Sequence, residues 1–135
     1  MGPLDKYVVG DDALRVTGSG FALSIHHHWY RSLPLSSIAV LDLAIDGVPV
    51  DRADMTVQAD GAAHAFDELA QQYDSWWFTT DAITITAARP GLDASAEHEV
   101  ELTLGLLIPY ILIGPPDDRR PLLASSHVVK ALVPR

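Results

Sequence analysis

A chain of 135 residues, of which 48% are hydrophobic and 20% charged, is long and apolar enough to fold as one globular domain instead of staying disordered. Its formal net charge of -9 at pH 7 disfavours nucleic acid as a partner, because acidic proteins repel phosphate backbones. The absence of cysteine excludes disulfides, zinc–thiolate sites and thiol catalysis.

The sequence also argues against a membrane segment. The first residues, MGPLDKYVVGDD, contain no long apolar run that would resemble a secretory signal. The longest nearly uncharged run, Leu102 to Pro116, is too short for a membrane helix and is interrupted by Gly105 and Pro109. We therefore expect no membrane partner and a cytoplasmic location.

Alternation of apolar and polar residues predicts strands along most of the chain. The clearest strands are Phe21–Ile25, Leu41–Ile45, Ile83–Thr86 and Val100–Leu104. Asp46-Gly47 and Asp60-Gly61 each lie between short apolar runs and predict tight hairpins. Asp67 to Gln72 is the one convincing helical stretch, with Asp67 as its cap. The predicted fold is all-β: an antiparallel sandwich, or jelly-roll-like barrel, with one short helical turn.

The strand predicted over His98 to Ile113 has an unusual second half. Beyond Thr103 it is apolar on both faces, whereas an antiparallel sandwich usually leaves one face in water. Either a loop of this chain or another chain should cover the second face.

The domain boundaries follow from turn residues and from the end of the sequence. We predict one domain over residues 1–129, with a core at about residues 5–114, because the proline-rich segment Gly114 to Pro121 is typical of a loop. The residues after 114 are predicted to form a tail. Residues 130–135 end in Leu-Val-Pro-Arg, which resembles the remnant of a thrombin-type cleavage site.

The row IHHHWYRSLPL, residues 25–35, raises the question of a metal site. On a strand, His26 and His28 would share a face about 7 Å apart and could hold one divalent ion. With Gly20 they match the first part of a cupin motif, but the carboxylate expected near Ser32 and the second motif are absent. The alternatives are histidines half-buried on a strand, or a cupin-like metalloenzyme with His98 or His64 as a third ligand.

The residues after the histidine row are typical of a contact surface. Trp29, Tyr30 and Arg31 combine large rigid rings with a planar cation, the composition of binding hot spots. A second aromatic group contains Tyr73, Trp76, Trp77 and Phe78. Because adjacent strand residues face opposite sides, we expect one tryptophan of the Trp76–Trp77 pair in the core.

The common catalytic motifs are missing. The chain has no cysteine nucleophile, no G-x-S-x-G elbow, no phosphate-binding glycine loop and no H-E-x-x-H. The residues alone therefore favour a β-sandwich with a partner-facing aromatic edge and no catalytic residue of its own.

Three segments resemble the small β subunit of bacterial C-glycoside deglycosidases. The first segment contains Gly20–Leu23 and Trp29–Ser36. The second runs from Ile45–Pro49 through Phe66–Leu69 to Trp76–Phe78. The third contains Arg89–Leu92 and His98–Thr103 and ends at Pro109-Tyr110. Together they cover about residues 5–114. Their order and spacing carry the resemblance, and the row His26 to His28 departs from the family's pattern.

The resemblance implies a heteromer. Its α subunit would be a TIM barrel similar to sugar isomerases and epimerases, with a divalent metal, commonly manganese. The complex would cleave the carbon–carbon bond between a 3-oxo sugar and an aromatic aglycone such as a flavonoid. The base and metal ligands would lie on the α subunit, with no cofactor on this chain. The resemblance places the partner interface or substrate-pocket rim at Trp29, Tyr30, Arg31, His28, Trp76, Trp77 and Tyr110. A sandwich that binds glycosides alone is a further alternative.

Overall fold

The computed structural model of the chain describes residues 7–59, 61–89 and 91–135. The strands are β1 Val9–Val16, β2 Gly20–Ile25, β3 Leu33–Pro34, β4 Ile38–Ile45, β5 Val48–Pro49, β6 Met55–Ala59, β7 Ala62–Ala65, β8 Trp76–Trp77, β9 Ile83–Ala88, β10 His98–Ile113 and β11 Arg120–Leu132. Short 3₁₀ helices lie at Leu35–Ser37, Arg52–Asp54 and Phe66–Gln71. The paired strands are antiparallel, which confirms the predicted all-β class.

The strands form two layers. A five-stranded sheet has the order β1-β2-β9-β6-β7, a four-stranded sheet has the order β11-β10-β4-β5, and β3 pairs with β8 in a separate ribbon. Alternate residues of both sheets point into one buried cluster, with Phe21 and Ile85 from the first sheet and Leu43 and Leu102 from the second. This is the predicted sandwich, in which each sheet buries the face that carries the apolar residues at every second position.

Two hairpins follow the predicted turn chemistry. Asp46 and Gly47 have φ of 54° and 80°, the left-handed values that a two-residue hairpin turn needs at both positions. This turn joins β4 to β5. In the hairpin of β6 and β7, Gly61 has a φ of 76°, while the preceding Asp60 lies outside the described residues.

The predicted helical stretch is a 3₁₀ helix, Phe66–Gln71, and its predicted cap is wrong. The helix begins one residue earlier than expected, so the N-cap is Ala65 and not Asp67. The Glu68 carboxylate accepts from the Ala65 N–H at 2.8 Å and satisfies the backbone at this end. In the described part of the chain, no helix has the length and apolar character needed to cross a membrane.

The predicted end of the core near residue 114 is wrong. β11 pairs with β10 from His98↔Leu132 to Ile113↔Arg120, so the segment predicted as a tail is a full strand. Leu132 is 2% exposed, and the backbone N–H of Arg135 donates to the Leu14 carbonyl at 3.1 Å. The Leu132 side chain and the Arg135 backbone therefore contact the sandwich, so residues 130–135 cannot be set aside from the fold.

The second half of β10 leaves the sheet. β4 pairs with β10 only as far as Leu106, and beyond it β10 and β11 continue as a two-stranded ribbon. Tyr110, Leu112 and Ile113 on this ribbon are each about half exposed. No described loop buries Leu112 or Ile113, so the two-sided apolar pattern marks a strand that extends past its sheet.

Candidate functional site

The two aromatic segments of the sequence meet at one end of the sandwich. β2 ends at Ile25, and the chain then turns through residues 26–32 before β3. β3 pairs with β8 in the register Leu33↔Trp77 and Pro34↔Trp76. The ribbon therefore holds the turn that carries Trp29, Tyr30 and Arg31 close to the segment that carries Trp76 and Trp77.

Trp29, Tyr30, Arg31 and Tyr110 form one cluster, which we call the aromatic cluster. The indole N–H of Trp29 donates to the Tyr110 hydroxyl across 81 positions of sequence. Tyr30 stacks on Trp29 with ring centroids 5.0 Å apart and an interplanar angle of 30°. The Arg31 guanidinium lies 5.3 Å from the Tyr110 ring centroid, within range of a cation–π contact. Four of the seven residues predicted at an interface or rim are thus brought together.

Trp77 is a core residue, so its predicted place at the rim is wrong. It is 1% exposed, and its indole N–H donates to the Asp81 carbonyl at 2.9 Å. Trp76 is 43% exposed, because neighbouring residues on β8 face opposite sides. The expectation that one tryptophan of the pair is buried is confirmed, and only Trp76 remains available at the surface.

The histidine row does not have the strand geometry predicted for a metal site. Since β2 ends at Ile25, His26 and His28 do not share a strand face as predicted. His28 is 8% exposed, not at an exposed rim, and its Nε2 donates to the Ala124 carbonyl of β11 at 3.1 Å. The described residues contain no group of three or more His, Asp or Glu side chains that could hold a metal ion.

His98, one of the two candidate third ligands of the cupin-like alternative, is engaged elsewhere. His98 opens β10, and its two ring nitrogens lie 2.6 Å from the Asp46 carboxylate and 2.8 Å from the Asp93 carbonyl. The hydrogen bond to Asp46 raises the pKa of His98, and the same bond lowers the pKa of Asp46. This pair ties the β4–β5 turn to the start of β10.

His27, for which the sequence suggested no separate role, lies beneath the cluster. Its ring meets Trp77 edge-on, with centroids 5.0 Å apart and an interplanar angle of 87°. Its Nδ1 accepts the backbone N–H of Trp29 at 3.2 Å, so the neutral tautomer carries its proton on Nε2. Burial lowers the pKa of His27, because it disfavours the charged form of the ring.

An open cleft of about 700 Å³ lies beside the aromatic cluster. It is lined by Tyr7, Gly10, Asp11, His26, His27, Trp29, Tyr30, Thr79, Thr80 and Lys130. Lys130 of β11 donates to the Asp11 carboxylate at 2.7 Å and to the Val9 carbonyl at 3.0 Å. The hydrogen bond from Lys130 lowers the pKa of Asp11. Sequence reasoning missed this ion pair because its two residues lie at opposite ends of the chain.

The cleft volume is in the range typical of small-molecule sites. Its walls combine stacked aromatic rings with a cation, a carboxylate and two threonine hydroxyls. Such a surface can bind and orient a flat polar ligand, or receive side chains of another protein.

Comparisons with known proteins point to one family. A model of the C-glycoside deglycosidase beta subunit family matches residues 4–110. A C-glycoside deglycosidase beta subunit of Microbacterium trichothecenolyticum is 39% identical over 107 residues, which is 79% of this chain and 81% of that protein. A 3'-dehydrocarminate deglycosidase beta subunit of a Microbacterium species is 36% identical over 107 residues, covering 79% and 80% of the two chains. A C-glycoside deglycosidase beta subunit of Arthrobacter globiformis is 36% identical over 91 residues, covering 67% and 70%.

Proposed function

Because this chain belongs to the C-glycoside deglycosidase beta subunit family, we propose that it is the non-catalytic subunit of a complex that removes an aromatic aglycone from a C-glycoside. The name of the family implies a second subunit. In this proposal the second subunit is a TIM barrel similar to sugar isomerases and epimerases. The aromatic cluster of Trp29, Tyr30, Arg31 and Tyr110 is the observation that supports the partner-binding role.

The proposed reaction is cleavage of the carbon–carbon bond between a 3-oxo sugar and its aglycone, for example a flavonoid. The ketone makes the neighbouring sugar C–H more acidic. A base on the partner removes that proton, a carbon–carbon double bond forms within the sugar, and the aglycone carbon leaves and takes up a proton. We assign the base, and a divalent metal such as manganese, to the partner. The described residues of this chain hold no set of three metal-ligating carboxylates or imidazoles.

The aromatic cluster suits an interface because it is both exposed and held in place. Tyr30 is 64% exposed and Tyr110 is 47% exposed, yet each is fixed through Trp29 by stacking or by a hydrogen bond. Rigid aromatic rings lose little conformational entropy on binding, so the area that they bury contributes more to affinity. Leu112 and Ile113, each about half exposed, follow Tyr110 along β10.

Reconstitution with the catalytic subunit tests the proposal. We expect this chain to co-elute with a TIM-barrel protein encoded beside it, and deglycosylation of a 3-oxo C-glycoside to require both proteins. Activity of the catalytic subunit that is unchanged by added chain, with separate elution of the two proteins, would contradict the proposal. The cytoplasmic location expected from the sequence remains a prediction.

A further inference from the structure

The aromatic cluster has two sides, and they offer different chemistry. Trp29 and Tyr30 line the cleft, whereas Arg31 and Tyr110 do not. The stacked pair therefore borders the cleft, while the contact of Arg31 with Tyr110 lies outside its lining. A partner that binds Arg31 and Tyr110 would leave the cleft side of Trp29 and Tyr30 available to another molecule.

The polar groups of the cleft include a donor and an acceptor side by side. The Lys130 ammonium has three N–H donors, and among the described residues two of them are used, by Asp11 and Val9. The third can be donated to a ligand. The Asp11 side chain is 94% exposed, so its carboxylate can accept a further hydrogen bond. A hydroxyl group, which both donates and accepts, complements two such groups 2.7 Å apart.

The remaining lining favours a flat, largely apolar ligand. Five of the ten lining residues carry a ring: Tyr7, His26, His27, Trp29 and Tyr30. A sugar needs polar partners around its whole edge, whereas a fused aromatic system needs them only at its few hydroxyls. The cleft volume of about 700 Å³ accommodates two or three fused rings.

We infer that this cleft binds a planar, hydroxylated aromatic group, with its face against the Trp29–Tyr30 pair and a ring hydroxyl at the Asp11–Lys130 pair. The inference rests on the proposed function, in which the substrate includes an aromatic aglycone. It assigns the recognition of that ring to this chain, and leaves the sugar and the chemistry to the catalytic subunit.

Calorimetric titration of the full chain, without its partner, tests the inference. The probes are 5,7-dihydroxyflavone, flavone without hydroxyls, and methyl β-D-glucoside. We expect dihydroxyflavone to bind about tenfold more tightly than flavone, because only the former has a ring hydroxyl that can donate to Asp11 while it accepts from Lys130. Methyl glucoside should give no saturable heat over the same concentration range.

Two variants locate the site. Tyr30→Ala removes one of the two stacked rings and should weaken the binding of both flavones by about tenfold. Lys130→Met keeps an unbranched aliphatic side chain but removes the N–H donors. It should therefore weaken the binding of dihydroxyflavone and leave the affinity for flavone unchanged. Tyr73→Ala is the matched control for Tyr30, because Tyr73 is 68% exposed and does not line the cleft. Thermal melting of each variant checks that it is folded.

The outcomes separate this inference from the proposed function. Absence of flavone binding, equal binding of methyl glucoside, or unchanged affinity in folded Tyr30→Ala would overturn the cleft assignment, while partner association could still be intact. Cleft binding without partner association would overturn the proposed function alone. Tighter binding of dihydroxyflavone than of flavone, weakened for both compounds in Tyr30→Ala and no longer selective in Lys130→Met, supports the inference.

Discussion

Arg31 is the residue whose contacts can be separated most cleanly from the stability of the fold. Its guanidinium lies over the Tyr110 ring and is exposed to solvent, and nothing in the buried core depends on it. An anchoring arginine at an interface typically contributes about 2 kcal/mol or more to binding. We therefore expect Arg31→Ala to weaken association with the catalytic subunit by about thirtyfold and to leave the melting temperature of the isolated chain nearly unchanged.

Arg52→Ala is a matched control for this experiment. Arg52 also covers an aromatic ring, that of Phe66 at 4.6 Å, and lies outside the aromatic cluster. Activity titrated with added variant chain gives the association midpoint. A midpoint for Arg31→Ala equal to that for Arg52→Ala, or unfolding of Arg31→Ala, would show that the aromatic cluster is structural.

At the scale of single residues, the sequence predicted the features that depend on residues adjacent in the chain. Trp29, Tyr30 and Arg31 are consecutive, so their composition alone indicated a contact surface. The position of Tyr110 in the same surface came from resemblance to a family, because no local pattern relates residues 81 positions apart. The Asp11–Lys130 pair could not be predicted, since it depends on how β1 meets β11.

Among the strands, β2 depends on a glycine at its first residue. A Cβ on Gly20 would lie 1.9 Å from the Ala87 carbonyl oxygen, where β2 runs beside β9. Backbone atoms cannot move aside as the end of a side chain can. We expect Gly20→Ala to lower the free energy of unfolding by about 2 kcal/mol or more.

Gly18→Ala is the matched control, because a Cβ on Gly18 would have no neighbour within 4 Å. It should leave the free energy of unfolding unchanged or raise it by about 0.5 kcal/mol, since alanine restricts the unfolded chain. Urea denaturation of both variants measures the difference. Equal stability of the two variants would mean that β2 and β9 can separate at Gly20 at little cost.

The strands that the sequence predicted are those with a clear period. β2, β4, β9 and β10 all have apolar residues on one face, and all four were found. β11 was missed because its residues do not alternate in this way: Leu122 and Leu123 are adjacent, and Ser126 occupies a buried position. β11 is a strand because it pairs with β10, and its own residue pattern does not indicate this.

For the whole molecule, two buried histidines give opposite dependences of stability on pH. The pKa of His27 is lowered by burial, so its contribution to stability is full above 6.5 and is lost as the pH falls through its folded pKa. The pKa of His98 is raised by Asp46, so its contribution is full below 6.5 and is lost as the pH rises through its folded pKa. Stability should therefore decline on both sides of a maximum near neutral pH.

Two variants distinguish the two sides of this maximum. His98→Gln should lose most stability at low pH and converge with the parent chain as the pH rises past the folded pKa of His98. In His27→Phe the decline of stability at acidic pH should be absent, since phenylalanine cannot take up a proton at position 27. Urea unfolding between about pH 5 and 9 measures both effects. An acidic decline that persists in His27→Phe would assign it to other groups.

The pairing of β2 with β9 has a consequence for how quickly the chain can fold. In the sequence, β3 to β8 lie between β2 and β9. Pairing of β2 with β9 therefore closes a long loop, and this costs conformational entropy before the contacts between the two strands can compensate for it. The β6–β7 and β10–β11 hairpins join strands that are consecutive in sequence and can form earlier. We expect the rate of refolding to be set by the arrival of β9 beside β2, on the scale of about milliseconds to seconds seen for β-sandwiches.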